Sequence, residues 1–205
     1  MYTLTEAQIK HFQEKGVVFL PGVFSQWVQP LLQAVEQALQ SPSPLERSYQ
    51  PKDGTAPFFQ DYCNWQRLNP LRDFVFDSPA AHVAAQLMSS RTVRFFHDHI
   101  LVKHPGTSLV TPWHQDQPYY CVQGQQSVSF WTPLDPVDQE RSLECVAGSH
   151  LWSTQGYRPK RFDGSNLYAQ DPYAEMPDID ANRSAFEILS YPMQPGDAIA
   201  FDFRT

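Results

Sequence analysis

Residues 95–120 read FFHDHILVKHPGTSLVTPWHQDQPYY, and this stretch decides how the rest of the chain is read. It holds the end of a β-type run, Thr92 to Lys103, then a Pro105-Gly106 turn, then Trp113-His114-Gln115-Asp116. On a strand, His114 and Asp116, two apart, point to one face. Both can then reach a single metal ion. With a second His from elsewhere they would form a two-His-one-carboxylate triad, which leaves coordination positions open for a cosubstrate and O2. Seven His and 22 acidic residues among 205 make about one His-x-acid match expected by chance. The motif therefore takes its weight from its surroundings.

Outward from that stretch the texture is β-rich. Further short runs lie at Tyr119 to Val122, Ser127 to Leu134, Leu143 to Val146, Phe186 to Tyr191 and Ala198 to Phe203, separated by Pro and Gly turns. Such spacing predicts a jelly roll or barrel. A long irregular segment from His150 to Ser184 carries Tyr157, Phe162, Tyr168 and Tyr173, and its length marks a lid or binding loop.

Toward the N-terminus the pattern is helical. Thr5-Glu6-Ala7-Gln8 is a capping box, with Leu4 and Ile9 as its staple, and Gly16 stops the helix. Val17 to Leu20 reads as a strand closed by Pro21-Gly22. Ser25 is a candidate N-cap for a second helix, with Val28, Leu31, Leu32, Val35 and Leu39 on one face. Residues 41–57 read as a loop, Phe58, Phe59, Tyr62 and Trp65 as a packing cluster, and Ser78-Pro79 as the start of a helix to about Met88. One domain is expected, with a helical part over about 1–90 and a jelly-roll core over about 91–205 that is incomplete at its C-terminal end.

Composition narrows the partners. Hydrophobic residues are 41% and charged residues 18%, with 18 Pro and 14 Phe, which is a folded, turn-rich chain. A net charge of −7 argues against nucleic acid or an anionic membrane surface as partner and leaves a small molecule. Cys63, Cys121 and Cys145 are an odd, widely spaced set that reads as reduced thiols in a cytoplasmic protein. No signal-like start or span of transmembrane length is present in the sequence. The oligomeric state is not legible.

Four motifs in order complete the picture: residues 95–120, then VSFWTPLDPVD (128–138), LECVAGSHLW (143–152) and PGDAIAFDFRT (195–205). Together with LTEAQIKHFQEKGVVFLPGVFS (4–25), they resemble the phytanoyl-CoA dioxygenase family over nearly the whole chain. The resemblance implies a double-stranded β-helix (jelly-roll) core with flanking helices. It implies an enzyme that uses Fe(II), 2-oxoglutarate and O2 to hydroxylate a small organic substrate, releasing succinate and CO2. By the same resemblance His114 and Asp116 match two iron ligands, Trp131 lines the 2-oxoglutarate pocket, and Lys103 and Thr111 contact that cosubstrate. Tyr119 and Tyr120 would face the substrate. Gly148-Ser149-His150 matches a structural turn, with Ala147 where the family has Pro.

In the family, Gly-Asp and an apolar strand lead to a distal His ligand and then to an Arg that grips 2-oxoglutarate. Pro195-Gly196-Asp197 and Ala198 to Phe203 supply that lead-in. The natural polypeptide is expected to run past Thr205, with the His within about five residues and the Arg roughly 10–15 further on. The 205 residues alone are expected to bind Fe(II) weakly.

His97 and His99 form a rival pair, read as packed or hydrogen-bonded. Arg158, Lys160 and Arg161 could receive an anionic substrate group, but such a cluster is usually a solvated face. Two other classes stay open: a non-catalytic jelly-roll binding protein, and a cupin-type metalloenzyme that does not use 2-oxoglutarate.

Overall fold

The structure, a computed structural model, describes residues 2–153 and 155–205. Helix α1 (Glu6–Lys15) starts at the capping box: Gln8 N donates to Thr5 Oγ1 and Thr5 N to Gln8 Oε1. It ends where Gly16 turns left-handed, at φ 76°, and sends its N–H back to Phe12 O. Leu4 is buried and Ile9 packs on the same cluster, as the staple requires.

The chain then enters the central sheet. Strand β1 (Val17–Leu20) pairs antiparallel with β7 (Ala198–Phe201), and β4 (Ser129–Trp131) pairs with the other side of β7. Alternation along these strands separates two faces. Val18, Leu20, Phe130, Ala198 and Ala200 pack outward on Phe12, Phe24, Val83 and Leu87. That covers the sheet with α1 and α4 (Ala80–Leu87). Val17, Trp131 and Ile199 face inward on Cys145 and Met193. The inner face leads to the site.

A second ribbon joins β2 (Phe58–Tyr62) to β3 (His99–Lys103), with Tyr62 opposite His99 and Phe58 opposite Lys103. Its Phe59 and Ile100 pack on Leu31, Ala34 and Ala38 of α2 (Val28–Gln40) and on Leu68 and Leu71 around α3 (Asn69–Asp77). The two-residue strands β5 (Cys145–Val146) and β6 (Ile188–Leu189) form a third pair. The whole is a short-stranded jelly roll flanked by helices.

Several expectations shrink or shift. The strands are two to five residues long while the helices run from eight to thirteen, so the β part is less extensive than the sequence predicts. Tyr119 to Val122 is no strand; Pro118 and a 3-10 turn at Gln117–Tyr119 occupy its start. Ser25 opens a 3-10 turn (Ser25–Trp27) before α2, and its hydroxyl bonds Gly22 O instead of capping a helix. Helix α3 and strand β2 are additions; β2 lies inside the aromatic cluster read as packing. Because β1 and β2 both enter the sheets, the helical part and the core interlock. Among the described residues no helix is long and apolar enough to cross a membrane.

Gly16 sits where three segments cross. A Cβ there would come 2.3 Å from Thr205 Oγ1 and 2.4 Å from His150 Nδ1. Gly164 has a similar φ of +79° but nothing within 4 Å. Both Gly→Ala variants incur left-handed strain of about 1–2 kcal/mol. Only Gly16→Ala adds a collision, so it should lose at least about 1 kcal/mol more than Gly164→Ala in urea unfolding. Equal losses would show that the crossing is loose.

Candidate active site

His114 and Asp116 do not lie on a ladder strand. Residues 111–116 are irregular, and Asp116 has helical angles (φ −68°, ψ −37°) where it starts the 3-10 turn. The segment is held by what flanks the pair. Gln117 N donates to Phe203 O at 2.8 Å, and the buried Gln115 amide donates to Ser149 O at 3.3 Å and to Arg204 O. The backbone just past β7 thus serves as partner for this stretch. The expected outcome of the spacing survives the change of backbone: His114 Nε2 lies 3.4 Å from Asp116 Oδ1.

Hydrogen bonds fix which atoms remain available. His114 Nδ1 is 2.8 Å from Pro112 O, and a carbonyl only accepts, so the proton of the neutral ring sits on Nδ1 and Nε2 keeps its lone pair. Asp116 Oδ2 accepts from Tyr120 Oη at 3.1 Å and from Ser129 Oγ at 3.3 Å, leaving Oδ1 toward His114. Burial acts to lower the His114 pKa, but the Asp116 hydrogen bond and charge and the Pro112 carbonyl raise it above the ordinary value. For Asp116, burial acts upward and is outweighed by His114, Tyr120 and Ser129, so its carboxyl lies below the usual range.

Around the pair is a wall of rings. Tyr119 meets the His114 ring edge-on at 5.7 Å. Tyr120 meets His97 and Phe203 edge-on, each at 5.0 Å. His99 stacks on Tyr62 at 3.9 Å and remains exposed. Desolvation lowers the pKa of His97 and takes that of His99 down to about 4. Asp98, between them, accepts the backbone N–H of Asn64 and of Trp65, each at 2.8 Å. The rival pair is packed, and among the described residues no group of three His, Cys, Asp or Glu is arranged to hold a metal ion.

Lys103 and Thr111 come together, Nζ donating to Oγ1 at 3.0 Å, with the ammonium 5.0 Å above the Phe58 ring. Burial lowers the Lys103 pKa. Trp131 shares the inner face of β4 with Ser129 and packs with Val17, Cys145, Met193 and Ile199. Burial pushes the Cys145 thiol up to about 12.

The long segment crosses over all of this. Tyr119 Oη donates to Lys160 O at 2.6 Å and accepts from Lys160 N at 2.8 Å. Phe162 meets Phe58 and Tyr49 edge-on, and Trp113 Nε1 donates to Asp180 Oδ1 at 3.0 Å. Beneath it a cavity of about 40 Å³ is lined by Trp113, His114, Cys145, Trp152, Ile179 and Thr205.

The basic cluster is spent on the loop itself. Arg158 pairs with Asp171 at 3.1 Å and with Glu175, while Arg161 donates to the carbonyls of Asn166 and Leu167. Lys160 Nζ lies 3.7 Å from Glu175. They staple the segment, so the cluster is neither a free solvated face nor an open anion site. Tyr119 is likewise occupied at its hydroxyl, as a clasp for the loop, and Tyr120 points its hydroxyl at Asp116. Sequence reading missed Ser129, Gln115 and Tyr62. Ser129 was within reach, since an inward Trp131 places the residue two before it inward as well.

Against known proteins, the family model for phytanoyl-CoA dioxygenase (PhyH) matches residues 12–205. The chain belongs to the phytanoyl-CoA dioxygenase family. It is thus a non-haem iron, 2-oxoglutarate-dependent oxygenase for a small organic substrate. No curated protein matches in sequence. Among solved structures, the non-heme alpha ketoglutarate dependent carbocyclase SnoK from nogalamycin biosynthesis is similar at TM-score 0.75 and 22% identity, covering 98% of this chain and 76% of that one. EvdO2 from Micromonospora carbonacea var. aurantiaca, complexed with 2-oxoglutarate, is similar at 0.65 and 20%, covering 99% and 82%. EctD from S. alaskensis, with 2-oxoglutarate and 5-hydroxyectoine, is similar at 0.66 and 17%, covering 100% and 71%. At these identities the likeness shows a shared fold.

Two measurements check the site. Tyr119→Phe removes both bonds to Lys160, and amide exchange at Lys160 should quicken about five- to tenfold, the equivalent of about 1 kcal/mol. Unchanged exchange would mean the loop is held elsewhere. The His99 imidazole should titrate in NMR at about 4, against 6.5 for a free His, and Tyr62→Ala should bring the midpoint back up. A base depressed in the fold binds fewer protons there than when unfolded. Its stabilising share is therefore complete above 6.5 and erodes as pH falls toward 4.

Proposed function

We propose that His114 Nε2 and Asp116 Oδ1 hold the Fe(II) of this oxygenase and that the chain hydroxylates a compact, ring-bearing organic molecule. One observation carries the assignment. The two atoms face each other at 3.4 Å while Nδ1 is occupied by Pro112 and Oδ2 by Tyr120 and Ser129. A neutral imidazole nitrogen and a carboxylate oxygen suit iron. When bound, iron with 2-oxoglutarate and O2 supplies the oxidant for C–H hydroxylation, with succinate and CO2 released.

The chain's own residues do the positioning. Phe203 and Arg204, tied to Gln117 and Gln115, set the end of the β7 line beside the pair. Lys103 and Thr111 offer an ammonium and a hydroxyl on the inner side for a cosubstrate carboxylate. Trp131 forms an apolar inner wall. Tyr62, His97, His99, Tyr120 and Phe96 present rings to the substrate, and the segment clasped by Tyr119 screens the pair from water. We read the 205 residues as one oxygenase-like domain. A net charge of −7 and three free thiols fit a small-molecule enzyme of the reducing cytoplasm.

Succinate release that depends on both Fe(II) and 2-oxoglutarate is the test. His114→Ala and Asp116→Ala should each lower it more than about 100-fold, beyond what an outer partner's loss costs. Unchanged release would move attention to His97 and His99. Trp131→Ala should raise the KM for 2-oxoglutarate more than that for the substrate. A purely structural Trp would show only a stability loss of roughly 3–5 kcal/mol.

A further inference from the structure

We infer that Tyr120 and Ser129 are positioning residues that make Asp116 a one-oxygen metal ligand, an inference that rests on the assignment of Asp116 as a metal donor. A carboxylate has two oxygens and can fill two coordination positions. An oxygenase site needs those positions for cosubstrate and O2. Something must therefore occupy the second oxygen.

Here two hydroxyls from separate elements do so. Tyr120 follows the 3-10 turn that Asp116 begins, and Ser129 opens β4. Their donors reach the same Oδ2 at 3.1 and 3.3 Å, leaving Oδ1 toward His114. Swinging the carboxylate so that both oxygens face one ion would break both bonds.

Neither donor is free to follow such a swing. The Tyr120 ring is wedged edge-on among Phe96 at 5.1 Å and His97 and Phe203 at 5.0 Å. Ser129 is fixed by its pairing with Phe201 of β7, which sets its side chain inward. An Asp on an irregular, helical-angled segment lacks the orientation that a strand would impose. The two hydroxyls supply it. Outer hydrogen bonds of this kind commonly govern metal affinity by 10- to 100-fold.

The test uses the full chain, Co(II) as probe, and Tyr120→Phe, Ser129→Ala and the double variant. Tyr120→Phe keeps the ring, so the packing that holds the segment stays. Calorimetric titration should show Co(II) binding about 10- to 100-fold weaker in the double variant. The metal-free thermal midpoint should fall by only the few degrees that two lost hydrogen bonds cost. The visible absorption of bound Co(II) should weaken as the carboxylate takes a second position, and Ser129→Thr should restore most of the affinity. A crystal structure of the metal-free double variant should show the Asp116 carboxylate rotated. Parental affinity and spectrum, or an unrotated carboxylate, would overturn the inference while Asp116→Asn still loses Co(II). If Asp116→Asn itself binds Co(II) as the parent does, the metal assignment falls and takes the positioning role with it.

Discussion

The backbone of residues 202–205 is gripped from two sides. On one side Asp202 N and Thr205 Oγ1 both donate to Gly16 O at 2.8 Å. On the other, Gln117 N takes Phe203 O and the Gln115 amide takes Arg204 O. This short stretch ties the end of α1 to the His114–Asp116 segment, with the central sheet between them. It also explains the glycine. Any side chain at Gly16 would fill the space through which Thr205 and His150 pass. Arg204 is buried along with its own partner, Asp202, 3.0 Å away, so its charge is satisfied where it lies and does not reach for the site.

From that attachment the behaviour of the H-x-D segment follows. A regular strand would have used its side-chain alternation to aim His114 and Asp116. This one, bracketed by Pro112 and Pro118, cannot continue a ladder at either end. Aim comes instead from side-chain and backbone hydrogen bonds: Pro112 O for the imidazole, Tyr120 and Ser129 for the carboxylate, Arg204 O for the Gln115 side chain and Phe203 O for the Gln117 N–H. The arrangement exchanges a sheet's uniform geometry for individually placed contacts.

How far the sequence could carry this reading depended on the range of the interaction. Local signals were legible. The Thr5/Gln8 box, the Gly16 stop, the strand at Val17–Leu20 and the Pro195-Gly196-Asp197 turn all depend on residues within a few positions of one another. The turn also shows where locality ends. Asp197 Oδ1 accepts from Gly22 N at 2.7 Å, and Gly196 O accepts from Phe24 N at 2.7 Å, and neither partner is guessable from position 197 alone. Strand lengths were overestimated because apolar runs such as Ser127 to Leu134 mark burial, whereas a ladder also needs a neighbour with free backbone groups. The close approach of His114 and Asp116 was legible from their spacing. Its supports were not, since Ser129 is 13 residues away and Phe203 is 87 residues beyond Asp116 in sequence.

The long segment shows what sequence does not reveal about a charged cluster. Acids and carbonyls of the same loop take up the donors of Arg158 and Arg161, and Lys160 lies beside Glu175. That consumption gives the loop its shape, because a segment this long with few apolar anchors needs internal pairing to stay ordered. Among its links to the body are Tyr119 at Lys160, Phe162 on Phe58 and Tyr49, and Asp180 at Trp113. These three reach residues near the His114–Asp116 pair or on the inner ribbon. Meanwhile the pKa values of His97 and His99, beside the pair, are shifted downward, which favours their neutral forms. The ring wall beside His114 and Asp116 is thus uncharged and lies under a loop that pairs its own charges. A molecule bound against that wall would be met by stacking, shape and hydrogen bonding, with Asp116 as the charged group beside it.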